Sequence, residues 1–227
     1  MKILIDDKIR EYTSEQIVQW LDELPEWRRE QVLAYKHDMG RRQSLLAYRL
    51  LCQGLREEYG ITEPPTFRYG EHGKPSAPLY PPSGGDLPQQ QTERSTLKGG
   101  DGGGLHFSLS HCREAVACVI DEEPCGIDIE SVERQVKDSV IRYSMNEAEQ
   151  DSILRLPTGE GREEAFLRLW TQKEAVLKLM GTGIRDTMKD VLIHCPYHIE
   201  TQETDRWIMS VATVTKLSSQ ESQSCNL

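Results

Sequence analysis

Apolar residues recur along this chain at two periods. In RRQSLLAYRLLCQGLREEYG, positions Tyr48, Leu51, Cys52, Leu55 and Tyr59 keep the i, i+3, i+4, i+7, i+11 spacing of one helical face, which predicts an amphipathic helix ended by Gly60, with Arg41 and Arg42 in its first turn. The strongest helical pattern is REEAFLRLWTQKEAVLKLMGTG, in which Phe166, Leu169, Trp170, Leu177 and Met180 make an apolar stripe and Gly181 closes the helix. A shorter helix is expected from Asn146, where NEAE sets an N-cap asparagine three residues before Glu149.

Elsewhere the period is two. Leu105 to Leu109 and Ala115 to Ile120 read as consecutive strands, followed by a turn at DEEP into a third strand from Gly126 to Glu130. DVLIHC and WIMSVATV alternate as two further strands. Residues 81–104 are rich in Gly, Pro, Gln and Ser and nearly empty of large apolar side chains, so they are expected to form a mobile insertion; the tail after Lys216 is polar and expected to fray.

The net charge of −10 opposes nucleic acid and anionic membrane over most of the surface. The expectation is therefore no nucleic-acid partner and no membrane, with any anionic ligand held by a local basic pocket. Arg28, Arg29, Lys36, Arg41 and Arg42 cluster in one early stretch, and Lys74 is presented on a turn-rich loop, TFRYGEHGKPSAP. The first apolar run, Ile3 to Ile5, is only three residues long before DDK, and nowhere is an apolar span long enough to cross a bilayer, which points to a soluble, cytoplasmic protein. Six scattered cysteines without a C-x-x-C pair then read as reduced thiols. HCPYH has no second cluster to complete a zinc site and reads as strand end and turn.

Candidate chemistry concentrates in CGIDIESV. Asp128 and Glu130, two apart on a strand, share a face roughly 7 Å apart, while Ile127 and Ile129 face the core. Either this is the solvated face of an edge strand, or a cation neutralises the pair; oxygen donors at this spacing suit Mg2+. Lys173 falls in the middle of the apolar helix stripe, where an ammonium must snorkel or be paired. Glu174 and Lys178 flank that stripe at i, i+4, the spacing of an exposed ion pair. Ser110 and His111 sit at a strand end and, pointing to opposite faces, do not make a nucleophile and its base; as donors they suit phosphate oxygens.

Taken together, GIDIE (126–130), LWTQKEAVLKLMGTGI (169–184), FSLSH (107–111) and YGEHGKP (69–75) resemble one family, the 4'-phosphopantetheinyl transferases, in the large monomeric type that activates surfactin synthetase. The resemblance covers most of the chain outside residues 81–104. It implies an α/β (α+β) fold of two similar subdomains related by a pseudo-two-fold, each a small mostly antiparallel sheet with a long helix, and coenzyme A between them. The halves would be residues 1–122 and 123–216, with 217–227 a polar tail. The implied activity is Mg2+-dependent transfer of phosphopantetheine from coenzyme A to a serine of an apo acyl, aryl or peptidyl carrier protein, with Mn2+ an alternative ion and a monomer as the working unit. By the same resemblance Asp128, Glu130 and Glu174 are metal ligands; Glu174, Lys178 and Lys173 are catalytic; and Arg42, Lys74, Ser110, His111 and Lys178 hold the coenzyme. The competing reading is a nonenzymatic coenzyme A or nucleotide binding protein of the same fold. A metal-dependent phosphodiesterase is disfavoured because the extra His and Asp clusters of two-metal hydrolases are missing.

Overall fold

The computed structural model describes residues 1–65, 68–69, 75–76, 105–182 and 186–215. Lys74, the 81–104 segment and the 217–227 tail lie outside the described residues. In chain order the elements are β1 (Lys2–Asp6), α1 (Ser14–Asp22), α2 (Glu26–Leu33), α3 (Asp38–Tyr59), β2 (Arg68–Tyr69), β3 (Pro75–Ser76), β4 (His106–His111), β5 (Val116–Asp121) and β6 (Cys125–Ser131). There follow α4 (Asp138–Ser144), α5 (Glu147–Leu154), α6 (Glu160–Met180), a short 3-10 turn (Asp186–Lys189), β7 (Tyr197–Glu203) and β8 (Trp207–Val214).

The two halves repeat one plan. Strands β1, β5 and β4 form an antiparallel sheet in that order, and β6, β8 and β7 form a second. Alternation along β5 decides the layering: Val116, Cys118 and Ile120 join α3 residues Leu51 and Leu55 in one core, while Ala117 and Val119 pack with Ile127, Ile129, Met209 and Val211 of the second sheet. Ile208 and Ala212, of opposite parity on β8, pack toward α6. The order through the molecule is thus α3, first sheet, second sheet, α6, with the central strands β5 and β8 buried on both faces.

The long helices end as their glycines require, with Gly60 and Gly181 both left-handed, φ 68° and 72°. Helix α3 begins three residues before Arg41, at Asp38. The α5 capping box is present, Asn146 Oδ1 accepting from the Glu149 N–H and Glu149 accepting from the Asn146 N–H. Two expectations fail. DVLIHC is not a strand but a turn whose His194 has φ 55°; Val191 and Leu192 turn inward onto Ala175 and Val176, and the strand is the next segment, Tyr197–Glu203, with an alternating edge pattern. Met180, placed at the end of the apolar stripe, is 46% exposed as the last residue of α6.

The third strand of the β4–β5 region leaves its neighbours and pairs with β8, Asp128 opposite Ser210. Its open edge meets β4 without a ladder. Ser108 Oγ accepts from the Ile127 N–H at 3.2 Å and Ser110 Oγ from the Ile129 N–H at 3.2 Å. Two serine hydroxyls thereby satisfy edge amides that would otherwise be buried and unpaired.

Candidate metal and phosphate site

Asp128 and Glu130 face α6, which crosses β6 so that residues two turns apart meet successive carboxylates. Trp170 Nε1 donates to Glu130 Oε1 at 3.0 Å, and Lys178 Nζ donates to Asp128 Oδ1 at 2.7 Å, with Glu174 between them on the same helix face. The approach is close because Gly126 has no side chain; a Cβ there would stand 2.0 Å from the Ala175 carbonyl oxygen and 2.5 Å from the Leu179 nitrogen. β6 is an edge strand, yet Asp128 is only 6% exposed, being covered by α6 and by β4. The solvated-face reading of this pair is thereby excluded.

Three carboxylates thus share one partly enclosed space with two cations. Lys178 also donates to the Ile127 carbonyl at 3.0 Å and to Ser110 Oγ at 2.9 Å, and Ser110 donates on to Asp128 Oδ1 at 2.8 Å. The Arg134 guanidinium, just past the end of β6, bonds Glu130 Oε1 and lies over the Trp170 ring, 4.9 Å from its centroid. Burial first, then the charge of Asp128, pushes the Glu174 carboxyl up to about 7; the same causes raise Glu130, opposed by Arg134 and Trp170.

Among the described residues Asp128 Oδ2 and Glu174 Oε1 are buried without a hydrogen-bond partner. Buried carboxylate oxygens left unpaired are costly and fit a hard cation. As they stand, no three His, Cys, Asp or Glu side chains among the described residues converge into a metal group, and the cations Lys178 and Arg134 hold the carboxylates instead. Mg2+ takes few protein ligands and fills its shell with water and phosphate oxygens, so the oxygen donor set suits it.

The remaining candidates divide. Ser110 is committed between Asp128, Lys178 and the Ile129 amide. His111 ends β4 as an exposed residue, although crowding around its ring and then the Lys178 charge lower its pKa. Arg42 donates to the Tyr12 carbonyl at 2.7 Å and pairs with Asp38; its neighbour Gln43 donates to the Cys112 carbonyl at 2.8 Å, which sets the start of α3 beside the end of β4.

Lys173 makes its contacts elsewhere. It is fully buried and its ammonium is 2.8 Å from Glu149, with the Met188 and Lys189 carbonyls at 2.9 and 2.7 Å. One residue before Glu174, it lies about 100° round the helix and serves the cluster that joins α6 to the cap of α5 and the 3-10 turn. Two residues of the site were missed from sequence. Trp170 read as part of an apolar stripe, though a buried indole N–H needs an acceptor and that need was the available signal. Arg134 carries no signal, since four residues along an extended strand and turn is not a spacing that brings side chains together.

Residues 124–222 match the model of the 4'-phosphopantetheinyl transferase superfamily. The chain is also similar to a 4'-phosphopantetheinyl transferase of Bacillus subtilis, 24% identical over 159 residues, an alignment covering 69% of this chain and 60% of that protein. The chain therefore spans well under two thirds of that relative's length in the match. The matched span contains Asp128, Glu130, Arg134, Trp170, Glu174 and Lys178.

Proposed function

We propose that this protein transfers the 4'-phosphopantetheine group of coenzyme A to a serine of an apo carrier protein, acyl, aryl or peptidyl, and releases adenosine 3',5'-bisphosphate. The observation that carries the reading is the trio Asp128, Glu130 and Glu174, set against Lys178 on the β6–α6 contact with two buried oxygens unpartnered, inside the span that matches the superfamily. In this reading Asp128, Glu130 and Glu174 hold Mg2+, or Mn2+ in its place, which when bound neutralises charge on the pyrophosphate. Residues 1–122 and 123–216 act as the two halves, with Arg42, Lys74, Ser110 and His111 at the coenzyme's phosphates.

The step forms a bond from the carrier serine Oγ to the phosphorus that bears pantetheine and breaks the bridge to the adenosine phosphate. Glu174, or a water it holds, accepts the serine proton. Lys178, 28% exposed on its side chain, donates a hydrogen bond to the departing phosphate. The nucleophile belongs to the partner, which accounts for a site without an activated serine or cysteine. The working unit in this reading is a monomer. No helix among the described residues is long and apolar enough to cross a membrane, in keeping with the cytoplasmic setting such an enzyme needs.

The test is to incubate the protein with coenzyme A, Mg2+ and a panel of apo carrier proteins, then read carrier masses. A phosphopantetheine adduct on a carrier serine is expected. Coenzyme A binding without an adduct on any carrier would leave the nonenzymatic binding protein as the reading.

A further inference from the structure

Glu130 is held on one oxygen by two donors at once. Oε1 accepts from Trp170 Nε1 at 3.0 Å and from the Arg134 guanidinium, whose plane is steadied over the Trp170 ring. Arg134 is itself fixed by the turn after β6, where its N–H donates to the Ser131 carbonyl at 3.1 Å. The neighbouring Glu133 does not share this guanidinium but pairs across the surface with Arg113. Arg134 is a third exposed while Glu130 is four-fifths buried, so the guanidinium reaches inward from the rim to a carboxylate that cannot be neutralised by water alone. A divalent cation sharing Glu130 would have to displace this positive charge or sit beside it, and either is unfavourable.

We infer that Arg134 is a resident counter-ion that competes with the divalent cation for Glu130, setting the metal affinity of the coenzyme-free protein. The inference rests on the metal reading of Asp128, Glu130 and Glu174. Arg134 holds Glu130 in place of the ion, and a metal entering must either push the guanidinium off Oε1 or bind against its charge.

The test measures Mg2+ binding to the whole protein without coenzyme, by titration calorimetry and by Trp fluorescence, in the wild type, Arg134→Gln, Arg134→Lys and Asp128→Ala. Arg134→Gln is expected to bind Mg2+ roughly three- to tenfold more tightly, the range for a half-buried ion pair removed from competition. Arg134→Lys keeps the charge and should stay near wild type. Asp128→Ala should lose binding. Wild-type binding that Asp128→Ala abolishes, with Arg134→Gln no tighter or weaker, overturns the inference and leaves the metal site standing, since Arg134 would then be orienting Glu130. No Mg2+ binding by wild type or by Arg134→Gln overturns the metal reading and the inference with it.

Discussion

Substituting Gly126 by alanine tests whether the contact between β6 and α6 builds the site. The added methyl would lie 2.0 Å from the Ala175 oxygen, 2.5 Å from the Leu179 nitrogen and 3.1 Å from the Ala175 carbonyl carbon, all backbone atoms of α6. None of these can rotate away, so helix and strand must separate by about 1.4 Å to restore ordinary van der Waals distance. That movement stretches the 2.7 Å Lys178–Asp128 bond and the 3.0 Å Trp170–Glu130 bond beyond hydrogen-bonding range. Overpacking of this kind costs about 1–3 kcal/mol, and with unyielding backbone as the obstacle about 3 kcal/mol is expected. Misplacing catalytic groups by about 1 Å can lower turnover by about a hundredfold. The assays are urea denaturation for stability and holo-carrier formation for activity. Gly54→Ala is the internal control: its methyl comes nearest to the Ile120 and Leu4 Cδ1 tips, at 2.6 and 2.7 Å, which can turn aside. Gly126→Ala with an unchanged urea midpoint and turnover within about twofold of wild type would refute the reasoning.

Asp128→Ala should abolish Mg2+-dependent transfer while the far-ultraviolet circular dichroism stays native; full activity would remove Asp128 from the metal site. Because the Glu174 pKa is raised in the folded protein, that carboxyl stays protonated after its unfolded counterpart has ionised near pH 4.5. The native state then binds the extra proton, so metal-free stability should fall as pH rises from about 4.5 to 7 and level off above, by roughly 1–3 kcal/mol. Melting in chelator across that range should show the decline, and Glu174→Gln should flatten it. Lys173→Met leaves Glu149 without its cation and should destabilise by about 3 kcal/mol, whereas Lys173→Met paired with Glu149→Gln should recover much of the loss. A single mutant of wild-type stability but no activity would instead favour the catalytic role for Lys173.

Both long helices, their glycine stops and the capping box at Asn146 were legible in the chain, because period, cap and stop are local properties read within a few residues. The shared face of Asp128 and Glu130 was legible for the same reason. Whether that face meets solvent or an α-helix was not local. It depends on Gly126 admitting the α6 backbone and on β4 presenting Ser108 and Ser110 to an edge that pairs elsewhere with β8. DVLIHC misled because two inward apolar residues satisfy a strand pattern and a packed turn equally well.

Lys173 and Lys178 mark the boundary most clearly. Sequence determined that an ammonium at Lys173 needed a partner and that Glu174 and Lys178 lay one turn apart. Only the tertiary structure decided that Lys173 is answered by Glu149, that Lys178 turns from Glu174 to Asp128, and that Arg134 and Trp170 share Glu130. The physical reason is that a charge in low dielectric takes whatever counter-charge the fold brings within a few ångströms, and that proximity is a property of packing between distant segments rather than of spacing along the chain.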